Sequence, residues 1–141
     1  MEKSLDQDLA ELLELGDRIG VGTGFVCPGR QCMEVEQQGT EYKLRVRPAS
    51  PEDRYVPSAD RLLTSVARVA GPRAIGIILT GMGDDGVEGA RAIRDAGGTI
   101  IAESQETAVV NGMPGSAVRA GVVDQVLALP LIGDYLAKLG A

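Results

Sequence analysis

Histidine is absent from this chain of 141 residues. That withdraws the side chain most often used as a general base near neutral pH. Tryptophan is absent too, and Phe25 is the single phenylalanine, so a core has to be built from Val, Ile, Leu and Ala. The only cysteines are Cys27 and Cys32. Two thiols without a histidine cannot complete a four-ligand zinc site. With no secretion signal beside them, they read as free, partly buried thiols of a reducing compartment. No apolar run approaches the ~18 residues of a membrane span. Bases number 14 against 20 acids, a net charge of −6, and no dense basic run occurs. This argues against a nucleic-acid partner. The expectations are a cytoplasmic protein, not inserted in a membrane, without a cofactor or metal.

The length suits one domain spanning 1–141, able to bury roughly 70% of its unfolded surface. Residues 4–15 read as an amphipathic helix: Leu5, Leu9, Leu12 and Leu13 share one face, Ser4 stands as N-cap and Gly16 as stop. Gly20 to Cys27 is apolar and broken by glycine, and it ends at the Pro28-Gly29 turn. Alternation over Met33–Glu36 and Tyr42–Arg47, around Gln38-Gly39, predicts an antiparallel hairpin with one wet face. A polar loop, Pro48 to Pro57, leads to a helix from about Pro57 to Ala70.

Beyond it the rhythm changes. Ala74 to Leu79 is a nearly continuous apolar run, as in a strand buried on both faces. A helix is predicted over Gly86–Ala96 and a buried strand over Thr99–Ala102. Pro114 opens a short helix that ends near Ala120-Gly121, Val122 to Leu127 gives a last strand, and Pro130 opens the terminal helix. Strand and helix alternating in this way predict a three-layer α/β fold. Its sheet is open and mostly parallel, with right-handed crossovers and one antiparallel hairpin.

The densest chemistry lies in Thr80-Gly81-Met82-Gly83-Asp84-Asp85-Gly86, where the first apolar strand of the second half turns into a helix. Open α/β sheets place ligands at the carboxyl ends of their strands. Glycine admits positive φ and close approach, and N–H groups at a helix start can hold an oxyanion. Two adjacent acids suit capping, metal ligation or the orienting of a histidine better than phosphate binding. Asp84 reads as an N-cap or helix-dipole partner. No third ligand accompanies the two acids.

The run from Ile77 through Thr80-Gly81-Met82-Gly83-Asp84-Asp85-Gly86 to Gly89 resembles the signature of the chemotaxis protein-glutamate methylesterase (CheB) family. So do Val26-Cys27-Pro28-Gly29, Pro57-Ser58-Ala59-Asp60 and Val109-Val110-Asn111-Gly112-Met113-Pro114, in the family's order and spacing. The resemblance runs from about Gly16 to the C-terminus and implies an α/β hydrolase with a Ser-His-Asp triad. Such enzymes remove methyl esters from chemoreceptor glutamates and can deamidate receptor glutamines. By motif position the triad aspartate falls on Asp85, and the methionine whose N–H helps form the oxyanion hole falls on Met82. Gly83, Gly112 and Met113 are expected to line the same site.

Departures from the pattern are specific. The family's G-A-S-T-G-G-like nucleophile turn and Q-H-M-P-like histidine segment have no counterpart here, nor has its receiver domain. Where the family often has P-G-x-x-H, this chain has Pro28-Gly29-Arg30-Gln31-Cys32. None of its serines sits in a G-x-S-x-G elbow. Ser116 is the best placed of them and reads as first-turn polarity. Cys32 lacks an evident activating base. The chain is therefore expected to be the C-terminal part of a methylesterase catalytic domain, inactive alone. Alternatives are a half-domain completed in trans by a complementing chain, or a non-catalytic signalling module that keeps the receptor-facing surface. Absent strands would leave sheet edges bare, so homo-oligomerisation is expected. Asp85→Asn is expected to leave folding nearly intact.

Overall fold

A computed structural model describes residues 17–140; the predicted helix at 4–15 lies outside them. Two three-stranded sheets form. In the first, β1 (Asp17–Arg18), β3 (Glu41–Pro48) and β2 (Gln31–Gln38) lie in that order and are antiparallel. In the second, β4 (Ile75–Ile78), β5 (Thr99–Glu103) and β6 (Gln125–Leu127) are parallel. The helices are α1 (Ala59–Ala70), α2 (Val87–Asp95), α3 (Met113–Arg119) and α4 (Leu129–Leu139).

The hairpin is longer than its alternating residues alone predicted, with Cys32 opposite Arg47 and Gln38 opposite Glu41. Ion pairs extend it: Arg45 to Glu36 at 3.1 Å and Arg47 to Glu34 at 3.4 Å lie across the strands. The two-residue β1 carried no sequence signal, because so short a strand shows no period.

Helix α1 is the hinge of the architecture. Its Leu62, Val66 and Val69 pack on Met33, Val35 and Leu44 of the hairpin. Leu63, Val66, Ala67 and Ala70 join the second core with Ile78, Ala90, Ile93, Ile100, Ala117 and Val122. Ser65 ties the two together. Buried to 2% exposure, its hydroxyl donates to the Leu62 carbonyl at 2.7 Å and accepts the Val35 N–H at 2.8 Å. A buried strand N–H is thereby satisfied by a helix side chain.

The central strand β5 is closed on both faces, with Ile100, Ile101 and Ala102 at 0% exposure. The expectation of burial on both faces fails for β4. Gly76 and Ile78 point inward, but Ile75 and Leu79 on the opposite face are 37% and 43% exposed. The physical reason is position: among the described residues β4 is an edge strand, with a neighbour on one side only. In α4, Ile132 is buried while Leu131, Leu136 and Leu139 stand about half exposed.

Helices α1 and α2 approach so closely that Gly89 has no room for a side chain. A Cβ there would lie 2.5 Å from Leu63 Cβ and 3.2 Å from the Asp60 backbone. Gly89→Ala sets a helix-propensity gain of about 1 kcal/mol against overpacking worth about 1–3 kcal/mol. Because backbone and a Cβ are what it meets, the clash dominates. The variant is expected to lose up to about 2 kcal/mol by chemical denaturation; a gain in stability would show that the two helices can separate freely.

Candidate functional site

The site is built where two loops at the carboxyl end of the parallel sheet zip together. Gly81 N–H donates to the Val110 carbonyl at 3.0 Å, and Met113 N–H donates to the Gly81 carbonyl at 2.8 Å. The Thr80 hydroxyl donates to the Val110 carbonyl (3.1 Å) and accepts the Val110 N–H (2.8 Å). Gly112 sits in the seam, where a Cβ would come within 2.6 Å of the Gly81 oxygen and 2.9 Å of the Gly83 nitrogen. Only glycine fits there. The Met113 side chain turns away into the second core, its sulfur beneath Gly81. Met82 is 77% exposed. Among the described residues, neither its N–H nor that of Gly83 donates a hydrogen bond.

Under these loops lies Glu103, the last residue of β5, 2% exposed. It accepts the Thr80 N–H at 2.9 Å and the Thr107 hydroxyl at 2.8 Å, and Thr107 in turn accepts the Leu129 N–H. Sequence reading missed it, because a glutamate ending an apolar strand looks like the strand's solvated tip.

Asp85 is 6% exposed. Its two oxygens accept the N–H groups of Ala59 (2.7 Å) and Asp60 (3.0 Å), the first residues of α1. Asp60 returns the arrangement: its Oδ1 accepts the N–H groups of Gly86 (3.0 Å) and Gly89 (2.8 Å) at the start of α2. Each carboxylate thus caps the other's helix, supplying acceptors for N–H groups that no helix can satisfy internally. Burial pushes the Asp60 carboxyl above its ordinary range. The Gly89 and Gly86 N–H groups oppose that shift, and the neighbouring Asp85 adds to it.

Asp84 does not cap α2. Gly86 holds the cap position at φ +100°, with no side-chain bond from its own segment, and Asp60 provides the acceptor from α1. Asp84 faces outward, accepting the Tyr55 hydroxyl at 3.0 Å beside Arg54 at 3.4 Å. Next to it opens a cavity of about 330 Å³ walled by Arg54, Asp60, Asp84, Glu88, Ser116 and Arg119.

The other candidate nucleophiles are placed for structure. The Ser116 hydroxyl donates to the Gly83 carbonyl at 3.3 Å and accepts from Arg119 at 3.2 Å, so no base faces it. Cys32 is buried, with its sulfur 3.8 Å from Asp53. Burial, and then the neighbouring Cys32, push the Cys27 thiol upward, opposite to what a reactive thiol needs. Among the described residues no three His, Cys, Asp or Glu side chains converge on a metal position.

The two caps differ in how they tolerate an amide, which corrects the expectation for Asp85→Asn. Both Asp85 oxygens accept N–H groups, so an Asn there sets an NH2 against a donor, at a cost of about 1–2 kcal/mol. Asp60 uses only Oδ1, so Asp60→Asn keeps its bonds. Because the folded carboxyl is raised, Asp60 stabilises fully below its unfolded pKa, and that contribution is lost as pH rises through the folded value. Asp60→Asn is therefore expected to be at least as stable as the parent at pH 7, with its relative stability rising from pH 3 upward. Urea titration across pH checks both; an Asp85→Asn variant as stable as Asp60→Asn would refute the exchange of caps.

Comparison with known proteins gives this geometry a context. The family model described as CheB methylesterase matches residues 6–136. The chain is 47% identical over 124 residues to protein-glutamate methylesterase/protein-glutamine glutaminase 1 of Myxococcus xanthus, covering 88% of this chain and 36% of that protein. It is 48% identical over 114 residues to the similarly named protein 3 of Geobacter sulfurreducens, covering 81% and 31%. The chain thus spans about a third of these curated relatives. The crystal structure of the Thermotoga maritima CheB methylesterase catalytic domain superposes with a TM-score of 0.84 at 30% identity, covering 99% of this chain and 79% of that one. With the family model matching residues 6–136 and the fold matching over nearly the whole chain, this protein belongs to the CheB methylesterase family.

Proposed function

We propose that this chain forms the C-terminal part of a protein-glutamate methylesterase catalytic domain and supplies the aspartate of a Ser-His-Asp triad. The observation that carries the reading is Asp85. It stands at the carboxyl end of a parallel strand, buried and fixed by two backbone N–H groups. An ionised carboxylate has about four acceptor sites, so two remain for an imidazole N–H.

No histidine exists in this sequence, so the serine and histidine come from another segment, either joined upstream or carried by a complementing chain. The serine attacks the ester carbonyl and the histidine takes its proton. Asp85 holds the imidazole in the correct tautomer and stabilises it when charged. The N–H of Met82, with that of Gly83 beside it, neither of which donates a hydrogen bond among the described residues, receives the negative oxygen of the tetrahedral intermediate. The histidine then protonates the departing methoxide to methanol, or the departing nitrogen to ammonia when the substrate is a glutamine side chain. This leaves the glutamyl group esterified to the serine. A water deprotonated by the same histidine cleaves that ester, releasing the glutamate carboxylate and the serine. The substrate is a chemoreceptor glutamyl ester, met in the cytoplasm, and this chain releases no methanol alone.

A second reading rests on β4. Ile75 and Leu79 leave aliphatic side chains exposed on β4, and the strand's edge has no neighbour among the described residues. Such an edge pairs with another strand, either of a complementing chain or of a second copy of this one. Sedimentation velocity is expected to show association in the isolated chain; a dispersed monomer would remove this support. In the same reading the chain keeps a receptor-facing surface without turnover.

The deciding assay is methanol release from methylated chemoreceptor, with the chain alone and with a separately expressed N-terminal half-domain bearing the serine and histidine. Release is expected only from the mixture, and Asp85→Ala is expected to lower it by about 10³–10⁴-fold. Release from the chain alone, or from the mixture carrying Asp85→Ala at parental rate, would overturn the triad assignment.

A further inference from the structure

We propose that Tyr55 is a positioning residue that fixes the Met82–Asp85 turn from outside the α/β layer. This rests on the triad reading of Asp85 for its catalytic consequence, though not for its structural one. Tyr55 belongs to the loop between the hairpin and α1, 29 positions before Asp84. It nevertheless grips the turn in three ways. Its hydroxyl donates to Asp84 Oδ1 at 3.0 Å. The same oxygen accepts the Asp84 N–H at 3.4 Å. Its ring edge fills the space above Gly83, where a Cβ would come within 2.4 Å of the hydroxyl oxygen and 3.1 Å of Cε1.

Gly83 has φ +83°, a conformation that glycine holds without a preference of its own. Without an external contact the Gly83–Asp84 peptide is free to turn about Gly83, and the Met82 and Gly83 N–H groups just before it lose a fixed anchor. Tyr55 removes that freedom on one side. Ser116, donating to the Gly83 carbonyl, removes it on the other. Arg54 completes the grip: its guanidinium lies 5.4 Å from the Tyr55 ring centre and 3.4 Å from Asp84 Oδ1. The hydroxyl is the decisive atom, because phenylalanine keeps the ring over Gly83 and loses both bonds to Asp84. An oxyanion donor has to sit within a few tenths of an ångström of its place to act, and small misplacements are costly in rate. Tyr55 touches no reacting atom, so it acts through the turn.

The test uses Tyr55→Phe in two measurements. In the chain alone, amide hydrogen exchange is read by NMR at Gly83, Asp84 and Asp85. Exchange at Asp84 is expected to quicken about tenfold while the melting temperature moves by no more than about 2 °C. In the mixture with the N-terminal half-domain, methanol release is followed on a helical peptide carrying a glutamyl methyl ester. There kcat is expected to fall about tenfold with KM within about twofold of the parent, the signature of an interaction felt in the transition state. Unchanged exchange at Asp84 overturns the clamp whatever the mixture does. Faster exchange with parental kcat overturns its role in positioning. A parental mixture that releases nothing overturns the triad reading instead, and the exchange result still decides whether Tyr55 holds the turn.

Discussion

The exchange of carboxylates between Asp60 and Asp85 is the constraint on which the rest of this structure turns. A helix start presents N–H groups with no internal partner and the positive end of a dipole. In this chain α1 and α2 begin side by side, so two such starts share one small volume. Each finds its acceptor on the other's segment: Asp85 on Ala59 and Asp60, and Asp60 on Gly86 and Gly89. Two acids crowded together normally repel, and burial raises Asp60 accordingly. Four N–H donors and the two helix dipoles offset that repulsion in part. The outcome locks α1 to α2 at a spacing that only Gly89 permits. Through α1, which is shared by both cores, it also locks the hairpin to the parallel sheet.

Regular patterns in the sequence made the elements legible, and the tertiary contacts stayed hidden for a common reason. Alternation over Met33–Glu36 and Tyr42–Arg47 revealed the hairpin. Apolar runs revealed β4 and β5, and the glycine and proline signals at Gly97-Gly98, Pro114 and Gly121 bounded α2 and α3. The turn that carries Asp85 was legible as a strand-to-helix turn because of its glycines. The contacts of Asp60, Ser65, Tyr55 and Glu103 were not legible, since each acts on backbone 23 to 30 positions away, and local spacing carries no trace of that. Asp84 shows the error that results. Read locally, it stands where a cap belongs; in the fold, a residue from another helix occupies that role, and Asp84 is turned toward Tyr55 and Arg54 instead. Likewise β4 has the composition of an interior strand and the position of an edge.

The seam of Thr80, Gly81, Val110 and Met113, resting on Glu103, belongs to the same logic. Loops at the carboxyl end of a parallel sheet are the places where such folds put function, yet loops are also the mobile parts of a domain. Here the two loops bond to one another as if they prolonged the strands, and the buried Glu103 carboxylate ties them down onto β5. Preorganisation is therefore distributed. The sheet end holds Thr80 and Gly81, the neighbouring loop holds Gly81 from the side, Tyr55 and Ser116 hold Gly83 and Asp84, and α1 holds Asp85.

That distribution bears on what a chain without histidine retains. A triad aspartate contributes by fixing an imidazole's orientation, so its own position has to be set by the fold rather than by its partner. Asp85 meets this condition through bonds made wholly within residues 59–85. The same bonds account for its presence whether or not an imidazole arrives, because removing it would leave the Ala59 and Asp60 N–H groups without their acceptor, Ser58 capping only Arg61. The structural need and the proposed catalytic role thus meet at one carboxylate. They separate only in the two acceptor sites that the backbone leaves open, which capping does not require and an imidazole N–H would use.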